Sequence, residues 1–188
     1  KRQKIKHTPT KFINLARISI EKGTLVMLKA LENITEHMVL DIYGPIHDIN
    51  YWKLCKKVIE TLPIHICVTY KGPIQGSHVP NLLNNYDFFV LLSEGENFGH
   101  AIIEALSAGC PVLISKNTPW KDLKRKQIGW DIETSEKETI TRTLENCMVM
   151  SENNYKQWSL KAREFADNVR TNTHIVSQSK SLLLNYIN

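Results

Sequence analysis

The chain has 188 residues, 42% hydrophobic and 23% charged, with a net charge of +5. That length suits one domain, since domains commonly run to roughly 100–200 residues, and the composition is that of a soluble globular chain rather than a disordered one. No apolar run approaches the ~20 residues that cross a bilayer as a helix, and no stripe of interleaved aromatic and basic residues points to nucleic acid.

The N-terminus reads KRQKIKH with no apolar stretch behind it, so it does not read as a signal peptide, and without a start methionine the chain reads as a piece of a longer one. Cys55, Cys67, Cys110 and Cys147 form no CxxC pair. They are expected to be buried apolar thiols in a reducing, cytoplasmic setting. His7, His37, His47, His65, His78 and His174 show no ligand spacing, and no metal is expected.

Residues 11–18 (KFINLARI) read as a first strand, and residues 22–33 follow with helical spacing, Leu25, Leu28 and Leu31 falling on one side. Residues 38–43 (MVLDIY) are a second strand, stopped by Gly44-Pro45. Residues 49–62 are helical, with Trp52, Val58 and Ile59 as apolar positions. A third strand, 64–70, ends at Gly72-Pro73 and leads to a short helix over 78–85. Residues 87–92 (DFFVLL) are nearly continuously apolar, which predicts a strand buried on both faces. A helix over 98–108 ends at Gly109, a natural helix stop; a fifth strand covers 111–115 and a short sixth 128–132. From Ser135 the pattern is all-helical, over 136–150, 153–169 and 173–186, with Ser135 and Ser151 as N-caps.

Strands alternating with helices predict a single Rossmann-like domain. Its doubly wound parallel sheet has about six strands, helices on both faces and extra C-terminal helices. In such sheets ligands bind beyond the carboxyl ends of the strands. Arg17, Ser19, Glu21 and Lys22 follow the first strand, Gly44 the second, Lys71 and Gly72 the third, Ser93–His100 the fourth, and Ser115, Lys116 and Asn117 the fifth. Arg17 can grip phosphate oxygens with two donors and Lys22 adds a mobile charge, although from spacing alone Arg17 pairing with a carboxylate and Lys22 opening a solvated helix is the better reading. The SEGENFGH loop sets acids and glycines before a helix whose first N–H groups attract anions. Glu104, amid Ile102, Ile103, Ala105 and Leu106, needs a partner: a sugar diol or a structural base.

SEGENFGHAIIEALSAGCPVLIS resembles the signature of family-4-type glycosyltransferases (glycosyl transferases group 1) of the GT-B fold. Seven residues separate Glu96 from Glu104, with Phe98-Gly99 and Glu104-Ala105 in place. LARISIEKG resembles the family's first strand-loop, and IYGP and YKGPI its next two strand ends. The resemblance implies that Arg17 and Lys22 bind the donor diphosphate, Glu104 the ribose hydroxyls, and Glu96 the donor sugar. It also implies that Gly99, His100 and Ala101 offer backbone N–H groups and that Gly72, Pro73 and Ile74 line the nucleobase pocket. Asn97 replaces a frequent glycine or serine beside Phe98, and residues 116–120 (KNTPW) depart from the family's usual acid and paired glycines. Trp120 and Trp130 read as packing or loop anchors.

The resemblance covers only the donor-binding, C-terminal half of such enzymes and implies a missing N-terminal acceptor half. It implies transfer from a nucleoside-diphosphate sugar, with retention, to a glycan or lipid-linked acceptor, and a possible peripheral place at the cytoplasmic membrane face. No Asp-x-Asp pair is present to call for a metal clamp. A non-catalytic sugar-nucleotide-binding or assembly module, or another GT-B-like enzyme such as an epimerase or phosphorylase, remains an open alternative.

Overall fold

The computed structural model describes residues 5–171, so the helix predicted over 173–186 lies outside the described residues. Six strands form one sheet: β1 (Thr10–Leu15), β2 (Met38–Tyr43), β3 (Ile66–Gly72), β4 (Phe88–Leu91), β5 (Val112–Ser115) and β6 (Gly129–Ile132). Their order is β3-β2-β1-β4-β5-β6, and every neighbouring pair is parallel. The chain winds outward from β1 to β3, crosses back to lay β4 beside β1, and winds outward again. This is the predicted Rossmann-like topology, and it puts the switch point between β1 and β4.

Period-two alternation builds the two layers. Phe12, Leu40, Phe88, Val90 and Leu113 face α1 (Thr24–Ala30), α2 (Ile49–Thr61) and α6 (Lys137–Val149). Ile13, Phe89, Leu91, Val112 and Ile114 face α3 (Val79–Leu83), α4 (His100–Ser107), α5 (Leu123–Lys126) and the later turns of α7 (Glu152–Thr171). Phe88 and Phe89 therefore fill opposite layers, both fully buried, each contributing about 1.5–3 kcal/mol of burial.

The amino end of the sheet is closed by Asp87. Its buried carboxylate accepts the backbone N–H of His7 at 3.0 Å and of Lys11 at 2.7 Å, and lies 2.8 Å from His7 Nδ1. Tyr155 donates its hydroxyl to the Asp87 carbonyl at 3.2 Å, and burial drives that phenol's pKa upward. Nearby, Lys6 donates to the carbonyls of Met148 and Met150 at the end of α6, and burial lowers its pKa against the opposing pull of Asp87.

Several boundaries differ from expectation. β1 stops at Leu15, after which Ala16 and Ile18 bond the carbonyls of Tyr43 and Pro45 outside the regular ladder. The chain runs so close there that a Cβ on Gly44 would strike the Ala16 carbonyl oxygen. Ser151 caps α7 as predicted, accepting the Asn154 N–H at 3.4 Å, but the cap of α6 falls on Glu136 rather than Ser135. Cys55, Cys110 and Cys147 are buried, whereas Cys67 is exposed. The correction follows from topology: β3 is an edge strand, and Ile66 and Val68 turn to the helical layer while Cys67 points the other way. The four-residue α5 has no counterpart in the predicted elements.

Candidate functional site

Two loops meet at the switch point, one after β1 and one after β4. Lys22 does not open a helix as predicted. It ends a 3-10 turn, Ile20–Lys22, closed by Gly23 in the left-handed region at φ 69°. A side chain at Gly23 would collide with the Leu92 carbonyl oxygen, so only glycine lets the first loop lie against the end of β4. The Glu94 N–H then donates to the Glu21 carbonyl at 2.9 Å. Tyr51 of α2 accepts the Leu25 N–H at 2.7 Å, and burial pushes its phenol up to about 12.

This docking brings Lys22 Nζ to 2.7 Å from Glu96 Oε1, with both side chains largely buried at 19% and 12% exposure. Arg17 is placed differently. Its guanidinium pairs with Glu21 at 2.7 Å, half-exposed at 51% and 42%. The two cations thus differ in setting. Exposed pairs of the Arg17 type are worth about 0–1 kcal/mol and open readily, while the buried Lys22–Glu96 pair is held in place.

Gly99, at φ 75°, caps α4. The Ile102 and Ile103 N–H groups both turn back to the Gly99 carbonyl, and those of His100 and Ala101 have no partner among the described residues. Phe98 holds this turn from outside: its carbonyl accepts Trp120 Nε1 at 2.6 Å, and its ring meets Trp120 edge-on at 5.3 Å. Trp120 is therefore the loop anchor it was expected to be. The exposed His100 tilts over Phe98, and Asn97 is exposed beside it.

Glu104 lies one turn into α4, half-buried among buried neighbours. It accepts no hydrogen bond from the described residues. Burial raises its pKa, opposed by His100 on its own helix and Arg170 of α7. A carboxylate so placed has free acceptor capacity for a pair of hydroxyl donors.

The β2 and β3 ends contribute less open geometry. Gly44 donates its N–H to the Gly72 carbonyl at 3.0 Å and accepts from Tyr70 at 2.9 Å, so its backbone is committed within the protein. Gly72, at φ 80°, has open space where a side chain would point; Pro73 is exposed and Ile74 packs on the α3 layer. Beneath them Tyr86 donates to Asp41 at 2.6 Å and lies 3.2 Å from the Tyr43 hydroxyl, with Lys71 at 3.8 Å from Asp41. Burial, then the Asp41 carboxylate, drives the Tyr86 phenol upward.

Residues 1–165 match the family model of glycosyl transferases group 1. The chain belongs to that family. A curated relative of this group 1 glycosyltransferase chain, the sulfoquinovosyl transferase SQD2 of Arabidopsis thaliana, is 27% identical over 105 residues, 55% of this chain and 19% of its own length. Among solved structures, a glycosyltransferase from Rickettsia africae superposes with a TM-score of 0.76 at 18% identity, covering 94% of this chain and 47% of its own. Anabaena Alr3699/HepE, solved in complex with UDP and glucose, gives 0.74 at 20% identity over 91% and 48%. These structural likenesses establish the fold, and the chain spans about half the length of these two structures and a fifth of the curated relative.

The glycosyltransferase chain also carries site features that motif reading does not reveal. Asn14 Oδ1, Ser19 Oγ, Thr24 Oγ1 and Ser93 Oγ are buried without a hydrogen-bond partner among the described residues, all four on segments that flank the switch point. Ser93 stands within the recognised motif, but nothing in a motif distinguishes an unpaired hydroxyl from a paired one. Among the described residues no group of three or more His, Cys, Asp or Glu side chains is arranged to hold a metal, and no helix is long and apolar enough to cross a membrane.

Proposed function

We propose that this chain is the donor-binding half of a glycosyltransferase and takes a nucleoside-diphosphate sugar at the β1–β4 switch point. The observation that carries the reading is the convergence there of Lys22 and Glu96, at 2.7 Å, beside the amino end of α4. The complex of HepE with UDP and glucose supports the ligand class.

In this reading Lys22 and Arg17 bind the diphosphate, and the N–H groups of His100 and Ala101 meet the distal phosphate and sugar. Glu96 keeps Lys22 in position and faces the sugar. Glu104 accepts from the ribose hydroxyls, and Gly72, Pro73 and Ile74 border the base. Transfer breaks the bond between the anomeric carbon and the diphosphate oxygen and joins that carbon to an acceptor hydroxyl, which loses its proton. Negative charge grows on the departing diphosphate, and fixed donors aimed at it supply the main stabilisation. The reading assigns that task to Arg17, Lys22 and α4 rather than to a metal.

The acceptor half belongs to the rest of a longer protein. The family resemblance extends the reading to hexosyl transfer with retention, onto a glycan, polysaccharide or lipid-linked acceptor, at the cytoplasmic face of a membrane. The chain alone then binds donor and transfers poorly. Calorimetric titration with UDP, GDP, ADP and their sugars tests this. One nucleotide is expected to saturate, and Arg17→Ala and Lys22→Ala each to weaken it. A folded full-length protein that binds none of these ligands sinks the reading.

A further inference from the structure

Residues 116–126 run from the end of β5 through α5 and carry Lys116, Lys121, Lys124, Arg125 and Lys126 against a single acid, Asp122. Five cations less one acid leave +4, in a chain whose total is +5. All six side chains are exposed. Asp122 is taken up by Arg125 at 3.3 Å, and the nearby Asp131 turns its carboxylate to the backbone N–H groups of Asp122 and Leu123. The apolar residues of the same segment, Trp120 and Leu123, are buried, so the charges form its outer surface.

The structure also holds these cations together. Lys126 donates to the Lys121 carbonyl at 2.7 Å and lies 5.4 Å from the centre of the Phe165 ring; Lys121 donates to the Lys116 carbonyl. From α7, Lys161 joins them by donating to Gln127, and its chain neighbour Leu160 is an exposed apolar side chain at 57%. Like charges gathered at one surface repel one another, and an anionic partner relieves that repulsion.

The chemistry of the patch selects the partner. Lysines outnumber arginines four to one between 116 and 126, giving hydrated point charges rather than planar forks that read bases or single phosphates. No aromatic ring is exposed there to stack on a base: Trp120 is 9% exposed, and Phe165 lies under Lys126. Clusters of about four to eight basic residues are characteristic of surfaces that meet anionic headgroups. We propose that the outer face of the β5–α5 connection docks the protein on an anionic lipid bilayer. The surface begins at Lys116, directly after the last residue of β5, so docking sets the carboxyl edge of the sheet near the bilayer. The inference deepens the membrane-face part of the functional reading by naming its surface, and it does not depend on donor binding.

Co-sedimentation with phosphatidylcholine vesicles, with and without phosphatidylglycerol, tests it on the full chain. Binding is expected only to the phosphatidylglycerol vesicles and is expected to weaken as salt rises. Removing three charges in Lys121→Gln/Lys124→Gln/Arg125→Gln is expected to weaken it about a hundredfold, roughly fivefold per charge. Lys53→Gln/Lys56→Gln/Lys57→Gln removes three exposed lysines of α2 and is expected to change it far less. Equal binding to both vesicles, an α2 variant that loses as much as the first, or tighter binding to a duplex oligonucleotide each overturns the proposal. Titration of nucleotide in solution, without vesicles, reports separately on the donor site: a variant that keeps nucleotide and loses vesicles supports the docking surface.

Discussion

At the amino end of β4, Asp87 is fully buried and its carboxylate lies within hydrogen-bond reach of three nitrogens; at the carboxyl end of the same strand, Ser93 is equally buried and its hydroxyl meets no partner among the described residues. The pattern extends around both residues. Asp87 is joined by His7, Lys11 and Tyr155 in a satisfied network, whereas Thr24, Asn14 and Glu104 keep acceptor capacity that the described residues do not use. A buried polar group left unpaired costs about 1–3 kcal/mol. The chain is thus closed at one end of its sheet for stability and left chemically open at the end where the sheet topology directs ligands.

The largest expected effect falls on the closed end. Asp87→Ala removes a buried charge and strands the donors that surround it, so denaturant unfolding should lose about 3–5 kcal/mol. The folded fraction should bind nucleotide as the parent does. A loss below roughly 1 kcal/mol would mean that the network is not what closes the amino end.

At the open end, Lys22→Ala should act on binding as well as on stability. It should weaken nucleotide binding by about 1.5–3 kcal/mol, or roughly 10- to 150-fold, and it should also cost stability, because it leaves the largely buried Glu96 carboxylate unpaired. Calorimetry beside a denaturation curve separates the two effects. Unaltered affinity would place the diphosphate elsewhere.

Glu104→Gln is subtler because its two readouts move oppositely. At low pH, below the unfolded-state pKa, Glu104 is neutral in both states. As pH rises through the raised native pKa, the folded protein must accept a half-buried charge, and the parent loses stability that the glutamine variant keeps. The variant's advantage in melting temperature should therefore grow with pH. Its affinity for nucleotide, with the amide oxygen still an acceptor, should fall by only about 1 kcal/mol. A variant less stable than the parent at neutral pH would mean that Glu104 already has a partner.

The sequence revealed the closed, regular parts best. DFFVLL reads as a strand because burial on both faces leaves it no polar alternation, and Gly109 ends α4 at φ 75° as its position implied. The order of strand ends was enough to collect Arg17, Lys22 and Glu96 at one edge, while Glu104 stood out as a lone acid on an otherwise apolar helix. Local pattern could not show that Lys22 pairs with a residue 74 positions away. The spacing of Leu25, Leu28 and Leu31 made residues 22–33 look like one helix, whereas the need for a left-handed Gly23 comes from the Leu92 carbonyl, distant in sequence. Cys67 was expected inside because nothing in its neighbours marks β3 as an edge strand; strand order alone decides that.

The smallest expected effect is also the most discriminating. Ser93→Ala deletes a hydroxyl that is fully buried and has no partner among the described residues, so it removes a desolvation penalty and leaves no cavity larger than an oxygen. Stability should stay level or rise by up to about 1 kcal/mol, opposite in sign to Asp87→Ala at the other end of the strand. If it instead falls by that amount, the hydroxyl is already satisfied by a bound water. The carboxyl end would then be as closed as the amino end, differing only in that solvent completes it.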